Sequence, residues 1–420
     1  MAGQSDTGRA AALALLQGVL DEKRLLSEIA PDAALAPAGK ARARRLAQTT
    51  LRHVGRADAL LKPHLRRLPP PVVRQILRMA VVEMLEEGAP PHGVVNAAVS
   101  LTRAQPNMGA MANFVNAVLR KMGQTDPARW NALPPQRLPG WLRGRLDSAW
   151  GRKAVEAMEA AHARAAPLDL TPRDGDAGAL AAATGGQVLP TGNVRLAGGQ
   201  VSALPGYDTG AWWVQDAAAA LPVRLLAPQP GERIADLCAA PGGKTLQLAA
   251  AGARVRALDI SAARLARLRE NLARTGLAAD VVEADVLTWQ PDVPLDAVLL
   301  DAPCSATGTI RRHPDLPFVK TARGIRPLFD VQAQMIDRAL NMVRPGGRLV
   351  YCTCSLLPEE GEAQLAAALE RHPGLGLAPV EVDVPAHWRA PGGGMRLRPD
   401  DWSDIGGLDG FFMVALRKPG

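Results

Sequence analysis

Cysteine is scarce in this chain and missing from its first half: four occur in 420 residues, at positions 238, 304, 352 and 354. Histidine is hardly commoner, with seven, and Cys352-Thr353-Cys354 lacks the usual gap of two to four residues of a zinc-binding pair. No metal site is expected. No apolar run is long enough to span a bilayer, which excludes a membrane-embedded protein on this reading. The start shows no basic stretch followed by a clean apolar core, because Gln17 and Asp21 interrupt the first one. A cytoplasmic protein is expected, its thiols reduced and either catalytic or structural rather than disulfide-bonded. Internal repeats and low-complexity blocks are also absent.

What is present divides unevenly. The length suggests two or three domains, and 47% hydrophobic against 21% charged residues can bury a sizeable core. The net charge is +8, and up to Pro135 there are 18 Lys and Arg against 10 Asp and Glu. The rest holds 31 of each sign, so the whole surplus sits in the first third. That placement predicts a nucleic-acid-facing amino-terminal module.

Residues 1–125 read as an all-α bundle. Leu13, Leu16, Val19 and Leu20 recur at helical spacing, as do Val72, Ile76, Met79 and Val82. Pro63, Pro69–Pro71 and Pro90–Pro91 punctuate the helices, and Pro71 suits the first turn of one. Pro, Gly and Asp-Pro steps mark 126–140 as a linker, and 141–210 reads as a small α/β connecting piece. Residues 211–420 alternate strands and helices, which predicts a Rossmann-like, doubly wound, mostly parallel sheet.

Three apolar runs in that last part end in chemistry. The first leads into Asp236-Leu237-Cys238-Ala239-Ala240-Pro241-Gly242-Gly243-Lys244-Thr245, the second into Asp301-Ala302-Pro303-Cys304, the third into Tyr351-Cys352-Thr353-Cys354-Ser355. Ligands in open α/β sheets bind beyond the carboxyl ends of the strands, so the three segments are expected to share one crevice. The glycine-rich turn at 238–244 is not a dinucleotide motif, which needs Gly-x-Gly-x-x-Gly. Nor is it a phosphate loop, because the required first glycine falls on Cys238. A tight turn remains, bare of side chains at Gly242 and Gly243, followed by a helix start at Lys244 that suits a small zwitterion. The methionine end of S-adenosylmethionine is such a group. Asp259 ends the next strand at about the twenty-residue offset where an acidic residue meets ribose hydroxyls. Asp285 closes the strand after that.

These motifs, in this order, resemble the RNA cytosine-5 methyltransferases, which use S-adenosylmethionine and two cysteines. Asp301–Asp315 and Tyr351–Glu362 carry the likeness together with Asp236–Thr245. In the amino-terminal third, Pro90-Pro91-His92-Gly93-Val94-Val95-Asn96 and Asn113-Phe114-Val115-Asn116 resemble the NusB-like RNA-binding domain. The pair of domains narrows the likeness to the bacterial small-subunit ribosomal RNA enzymes of the RsmB/Sun type. The resemblance implies 16S rRNA as substrate, before subunit assembly is complete. A tRNA-directed enzyme is the alternative of the same class. An RNA-binding assembly or antitermination factor with a vestigial methyltransferase fold is the alternative of another class.

Cytosine carbon 5 becomes nucleophilic only when a thiolate adds at carbon 6, and a base must then remove the proton on carbon 5. Position alone gives Cys304 and Cys354 equal claim to the attack. The resemblance assigns it to Cys354 and gives Cys304 a part in elimination, with Asp301 on the N3/N4 edge of the base and at the cofactor. It also implies cofactor contacts from Cys238, Ala239, Ala240, Pro241, Gly242, Gly243, Lys244, Asp259 and Asp285. Arg311, Arg312 and His313 are expected at the RNA. Cys238 and Cys352 themselves read as small core side chains. Ala306 departs from the family, which often has Gly there.

Overall fold

The computed structural model describes residues 2–30, 32–379 and 382–420, which form two compact units. The first is Met1–Ala165 together with Ile310–Thr321; the second is Ala166–Thr309 and Ala322–Gly420. The first division falls inside the 141–210 stretch.

The first unit is helical: α1 (Ala2–Leu20), α2 (Pro37–Arg52), α3 (Val54–Leu61), α4 (Pro71–Leu85), α5 (Pro91–Ala104), α6 (Ala112–Met122), α7 (Pro127–Asn131), α8 (Gly140–Trp150) and α9 (Arg152–His162). Pro71 and Pro91 each open a helix, where the missing N–H costs nothing. Helix α4 is buried on nearly every side, so its polar residues must find partners. Arg78 makes a two-pronged ion pair with Asp58 (2.7 and 2.5 Å), and Glu83 accepts Arg9 at 2.6 Å. The stretch expected as a linker holds α7, and Trp130 from it is wholly buried in the helical core. A single large aromatic outweighs the turn-forming residues around it.

The second unit begins with β1 (Leu168–Pro172), α10 (Ala177–Thr184), β2 (Gln187–Val188), β3 (Val194–Leu196) and β4 (Trp212–Val214), an antiparallel sheet in the order β2-β3-β1-β4. There follow α11 (Ala217–Leu226), β5 (Arg233–Leu237), α12 (Gly243–Ala250), β6 (Arg254–Asp259), α13 (Ala262–Thr275), β7 (Asp280–Glu283) and β8 (Leu295–Asp301). The chain then passes through α14 (Leu316–Val319), which belongs to the first unit, and returns as α15 (Ala322–Met342), β9 (Val343–Thr353), α16 (Glu362–Arg371), β10 (Gly376–Leu377), β11 (Met395–Leu397) and β12 (Phe411–Arg417). Helix α15 starts five residues before Pro327 and runs through it, forfeiting one backbone bond near its first turns.

The large sheet runs β10-β12-β9-β8-β5-β6-β7, with β11 paired to β12. Strands β5 to β9 are mutually parallel, and β12 joins antiparallel to β9. The chain winds outward from β5 in one direction and from β8 in the other, so the switch point lies between them. Buried aliphatic residues explain the strands: Ile234, Ala235 and Leu237 on β5, and Ala297 to Leu300 on β8, are fully enclosed, as strands covered on both faces must be.

Candidate active site

Register decides what meets at the switch point. Leu237 pairs with Leu258 on one side and Leu300 on the other, and Leu300 pairs with Tyr351. The next positions along the four strands are Cys238, Asp259, Asp301 and Cys352, all at the carboxyl edge. Asp259 in turn pairs with Glu283, two residues before Asp285. The crevice expected from sequence therefore exists, and Cys304 and Cys354 hang from the loops that leave β8 and β9.

The two thiols lie against each other, Sγ to Sγ 3.5 Å. The hydrogen bond with Cys354 and then burial push the Cys304 thiol well above its ordinary pKa, and the charge of Glu360 adds a smaller push. Cys352 is fully enclosed and donates to Asp301 Oδ1 at 3.5 Å; burial pushes its thiol up as well. Burial pushes Cys238, which is half-buried in the loop after β5, up to about 12.

Asp301 is not alone on its other oxygen. Lys244 Nζ donates to Oδ2 at 2.7 Å and sits 5.4 Å from the centre of the Phe411 ring. Burial works against the ammonium, yet the carboxylate of Asp301 more than offsets it and raises the Lys244 pKa. Sequence assigned Lys244 to the cofactor loop; the structure joins it to Asp301.

The loop itself has the form a small ligand needs. Cys238 is left-handed at φ 62° and Gly242 at φ 109°, and a Cβ on Gly242 would stand 3.0 Å from Leu268. Helix α12 starts at Gly243, so the N–H groups of Gly243, Lys244 and Thr245 are those a helix leaves without an internal partner. Asp236 is fully buried beneath the loop, where burial pushes its pKa up to about 7. Its Oδ2 accepts Thr245 Oγ1 at 2.6 Å, and its Oδ1 meets no donor. Asp259 accepts Ala240 N at 3.2 Å on Oδ2, which Arg264 also approaches at 3.4 Å, and Ser261 N at 3.0 Å on Oδ1, leaving Oδ1 a lone pair for a hydroxyl. Asp285 accepts Leu287 N at 2.9 Å and caps its own turn. An orphaned buried carboxylate oxygen, free amides and acidic strand ends fit a ligand carrying an ammonium, a carboxylate and a ribose.

Of Arg311, Arg312 and His313, the expectation for Arg311 needs correction. Their segment clusters with the helical unit, where Arg52 donates to the Arg311 carbonyl at 2.6 Å and Leu26 N to Asp315 at 2.9 Å. Arg311 is 1% exposed and has no surface to offer a phosphate; Arg312 is half-buried and His313 exposed. Arginine motifs read as surface until packing shows otherwise. Sequence reasoning also passed over Glu360, a wholly buried carboxylate close to the thiols, although it stands inside the Tyr351–Glu362 motif.

Strands wound outward from a switch point, with a tight glycine turn and an acidic residue on the next strand, define an S-adenosylmethionine-dependent methyltransferase, here preceded by a helical unit. Residues 223–417 match the family described as 16S rRNA methyltransferase RsmB/F, and residues 6–124 match the NusB family. The ribosomal RNA small subunit methyltransferase B of Salmonella arizonae is 38% identical over 371 residues, 82% of each chain. The chain belongs to the RsmB/F family. Among solved structures, that of PH0851 shares the fold at TM-score 0.74 and 24% identity, covering 98% of both chains. A methyltransferase homolog protein from Pyrococcus horikoshii follows at TM-score 0.55 and 28% identity, covering 66% of this chain and 93% of that one.

Proposed function

We propose that this protein methylates carbon 5 of a cytosine in 16S rRNA through a covalent bond between Cys354 and carbon 6. The observation that carries the reading is the pair of thiols 3.5 Å apart on the loops that leave β8 and β9, where β8 ends in a carboxylate, Asp301, bonded to a lysine. A methyltransferase that acts on a nucleophilic nitrogen needs no thiol, and a single thiol suffices for addition alone. Two in contact suit addition followed by elimination.

Cys354 loses its proton to solvent and the thiolate bonds to carbon 6, while negative charge gathers towards N3. Asp301, with the Lys244 ammonium on its far oxygen, holds the N3/N4 edge and draws on that shared proton to offset the charge. Carbon 5, now enamine-like, takes the methyl group that S-adenosylmethionine supplies when bound. The proton on carbon 5 passes to a base at Cys304, the C6–S bond breaks, and Cys354 returns as thiolate. Loop 238–245, with Asp236, Asp259 and Asp285, would hold the cofactor. The RNA substrate is the one named for the relatives, taken before the small subunit is fully assembled.

For the RNA itself, a cavity of about 900 Å³ on the helical unit is a better place than Arg311. Leu68, Met111, Phe114 and Val118 give it an apolar floor, with Arg66, Arg67 and Lys121 at its edge. Among the described residues these three cations have no acidic partner, so their charge is available to phosphates.

Labelled S-adenosylmethionine with naked 16S rRNA, intact small subunits or bulk tRNA tests the substrate; label entering tRNA alone would overturn it. The thiol roles are tested on denaturing gels. Cys304→Ala should accumulate methylated RNA bound to protein, and Cys354→Ala should form no adduct. The reverse pattern would exchange the two roles.

A further inference from the structure

The Tyr351–Glu362 motif runs eight residues past Cys354, further than the thiol chemistry requires, and includes, six residues past it, a carboxylate that the proposed reaction does not use. Glu360 has no exposed surface and, among the described residues, no ion-pair partner. It is held by neutral donors instead. Oε1 accepts Ser305 N at 2.9 Å and Gln332 Nε2 at 3.1 Å; Oε2 accepts the hydroxyls of Ser305 and Ser355, each at 2.5 Å. Two donors on each oxygen are what an ionised carboxylate accepts.

The donors are not scattered. Ser305 directly follows Cys304 and Ser355 directly follows Cys354. Gln332 also donates to the carbonyl of Pro303 at 2.9 Å, directly before Cys304. The carbonyl of Glu360 takes Thr353 Oγ1 at 2.9 Å, directly before Cys354, and Tyr351 OH at 2.8 Å. One residue thus grips the chain on both sides of both thiols. We infer that Glu360 is a positioning residue for the thiol pair, fixing the contact between Cys304 and Cys354 and setting an uncompensated negative charge beneath it.

Two consequences follow, and they rest on the covalent mechanism proposed above. The loops that leave β8 and β9 meet through two backbone bonds, Ala302 N to the Cys352 carbonyl and Gly308 N to the Cys354 carbonyl, each at 3.0 Å, and the clamp adds the side-chain bonds that hold the residues flanking each sulfur. A negative charge beside Cys304 also disfavours a thiolate there. The other ionisable groups facing the pair are Tyr351 and Cys352, the Lys244–Asp301 pair, and Arg396, which bonds the Ser355 carbonyl and is neutralised by Glu362 at 2.6 Å. None of these places a free cation against Glu360.

The test uses the full chain and reads the thiols directly. Alkylation by iodoacetamide is followed at Cys304 and Cys354 by mass spectrometry as a function of pH, beside single-turnover methylation of 16S rRNA. Glu360→Gln keeps the shape, and its amide can donate to the two hydroxyls, which are free to turn and accept. The midpoint for Cys304 alkylation should fall by about one pH unit. Methyl transfer should slow by at least about tenfold with the RNA KM unchanged within about twofold. Glu360→Asp keeps the charge but cannot reach both serines, so it should slow transfer with a smaller change in midpoint. Should Glu360→Gln fail to fold, Ser355→Ala removes one donor only and should still alter the ratio of alkylation rates at the two thiols. Unchanged alkylation profiles in the variants that fold would overturn the inference, whatever the activity. Altered profiles in a protein that forms no RNA adduct would leave the clamp standing and remove the covalent mechanism instead.

Discussion

Replacing His162 by leucine should make the protein less sensitive to acid, by an amount the structure sets. His162 ends α9, and neither ring nitrogen has a hydrogen-bond partner among the described residues. Burial, helped by the positive charges of Arg311 and Arg52, lowers its pKa to about 3. In the unfolded chain the ring titrates near 6.5. Above that value both states are neutral and the residue contributes no pH dependence. Below it the unfolded chain binds a proton that the folded chain refuses, so stability falls as pH falls, until the folded value is reached. The slope is about 1.4 kcal/mol per pH unit, or about 2 kcal/mol between pH 6.5 and 5, a sizeable part of the 5–15 kcal/mol typical of a domain. Leucine cannot titrate and leaves no ring nitrogen buried without a partner, so at pH 7.5 the variant should match or exceed the parent by about 1 kcal/mol. Urea unfolding at pH 7.5, 6.5, 5.5 and 5.0, followed by fluorescence of the buried Trp130 and its neighbours, gives the difference between the two proteins at each pH. Subtraction removes the histidines and carboxylates common to both. A difference that stays constant across the series would refute the reasoning.

Ala306 holds a left-handed backbone at φ 58°, which suits the glycine expected at that place in the family. Ala306→Gly should therefore raise stability by about 0.5–1 kcal/mol, read as a higher Tm; a lower Tm would show that the methyl group's packing outweighs the strain. Asp259→Asn keeps the size but removes the charge, and calorimetry should show S-adenosylmethionine affinity reduced by about 1.5–3 kcal/mol. Equal affinity would remove Asp259 from the cofactor site. Replacing Arg66, Arg67 and Lys121 together with alanine should flatten the dependence of log K on log salt for single-stranded RNA by about 2. An unchanged slope would put the RNA elsewhere.

Patterns that follow from local chemistry were legible before the structure. Pro71 opens its helix as read, and Asp259, Asp301 and Cys354 stand at or just past the strand ends their apolar runs predicted. That is because period and punctuation act over a few residues. What was not legible depends on register or on burial. Lys244 looks like a loop cation until β5 and β8 pair and bring Asp301 beside it. Arg311 and Glu360 look like surface residues, because charge in a sequence carries no sign of the donors that will enclose it. Trp130 lay in a stretch whose prolines and glycines advertised a linker, and only the depth of its burial shows that the stretch is anchored.

The passage of residues 310–321 into the helical unit changes how the protein can be divided. A cut at the obvious place, after residue 125, would leave the catalytic half with a strip that belongs to the discarded half. Phe318 and Val319 pack on the helical core, the Arg311 carbonyl accepts Arg52, and the Asp315 carboxylate accepts Leu26 N. Freed of these, the strip would present apolar side chains and lost partners to solvent, inviting aggregation of the truncated enzyme. Poor behaviour of such a fragment would then report an orphaned surface and nothing about RNA. Point changes on the intact chain are the sounder instrument, and a two-piece enzyme is better assembled by co-expressing residues 1–165 with the remainder than by discarding them.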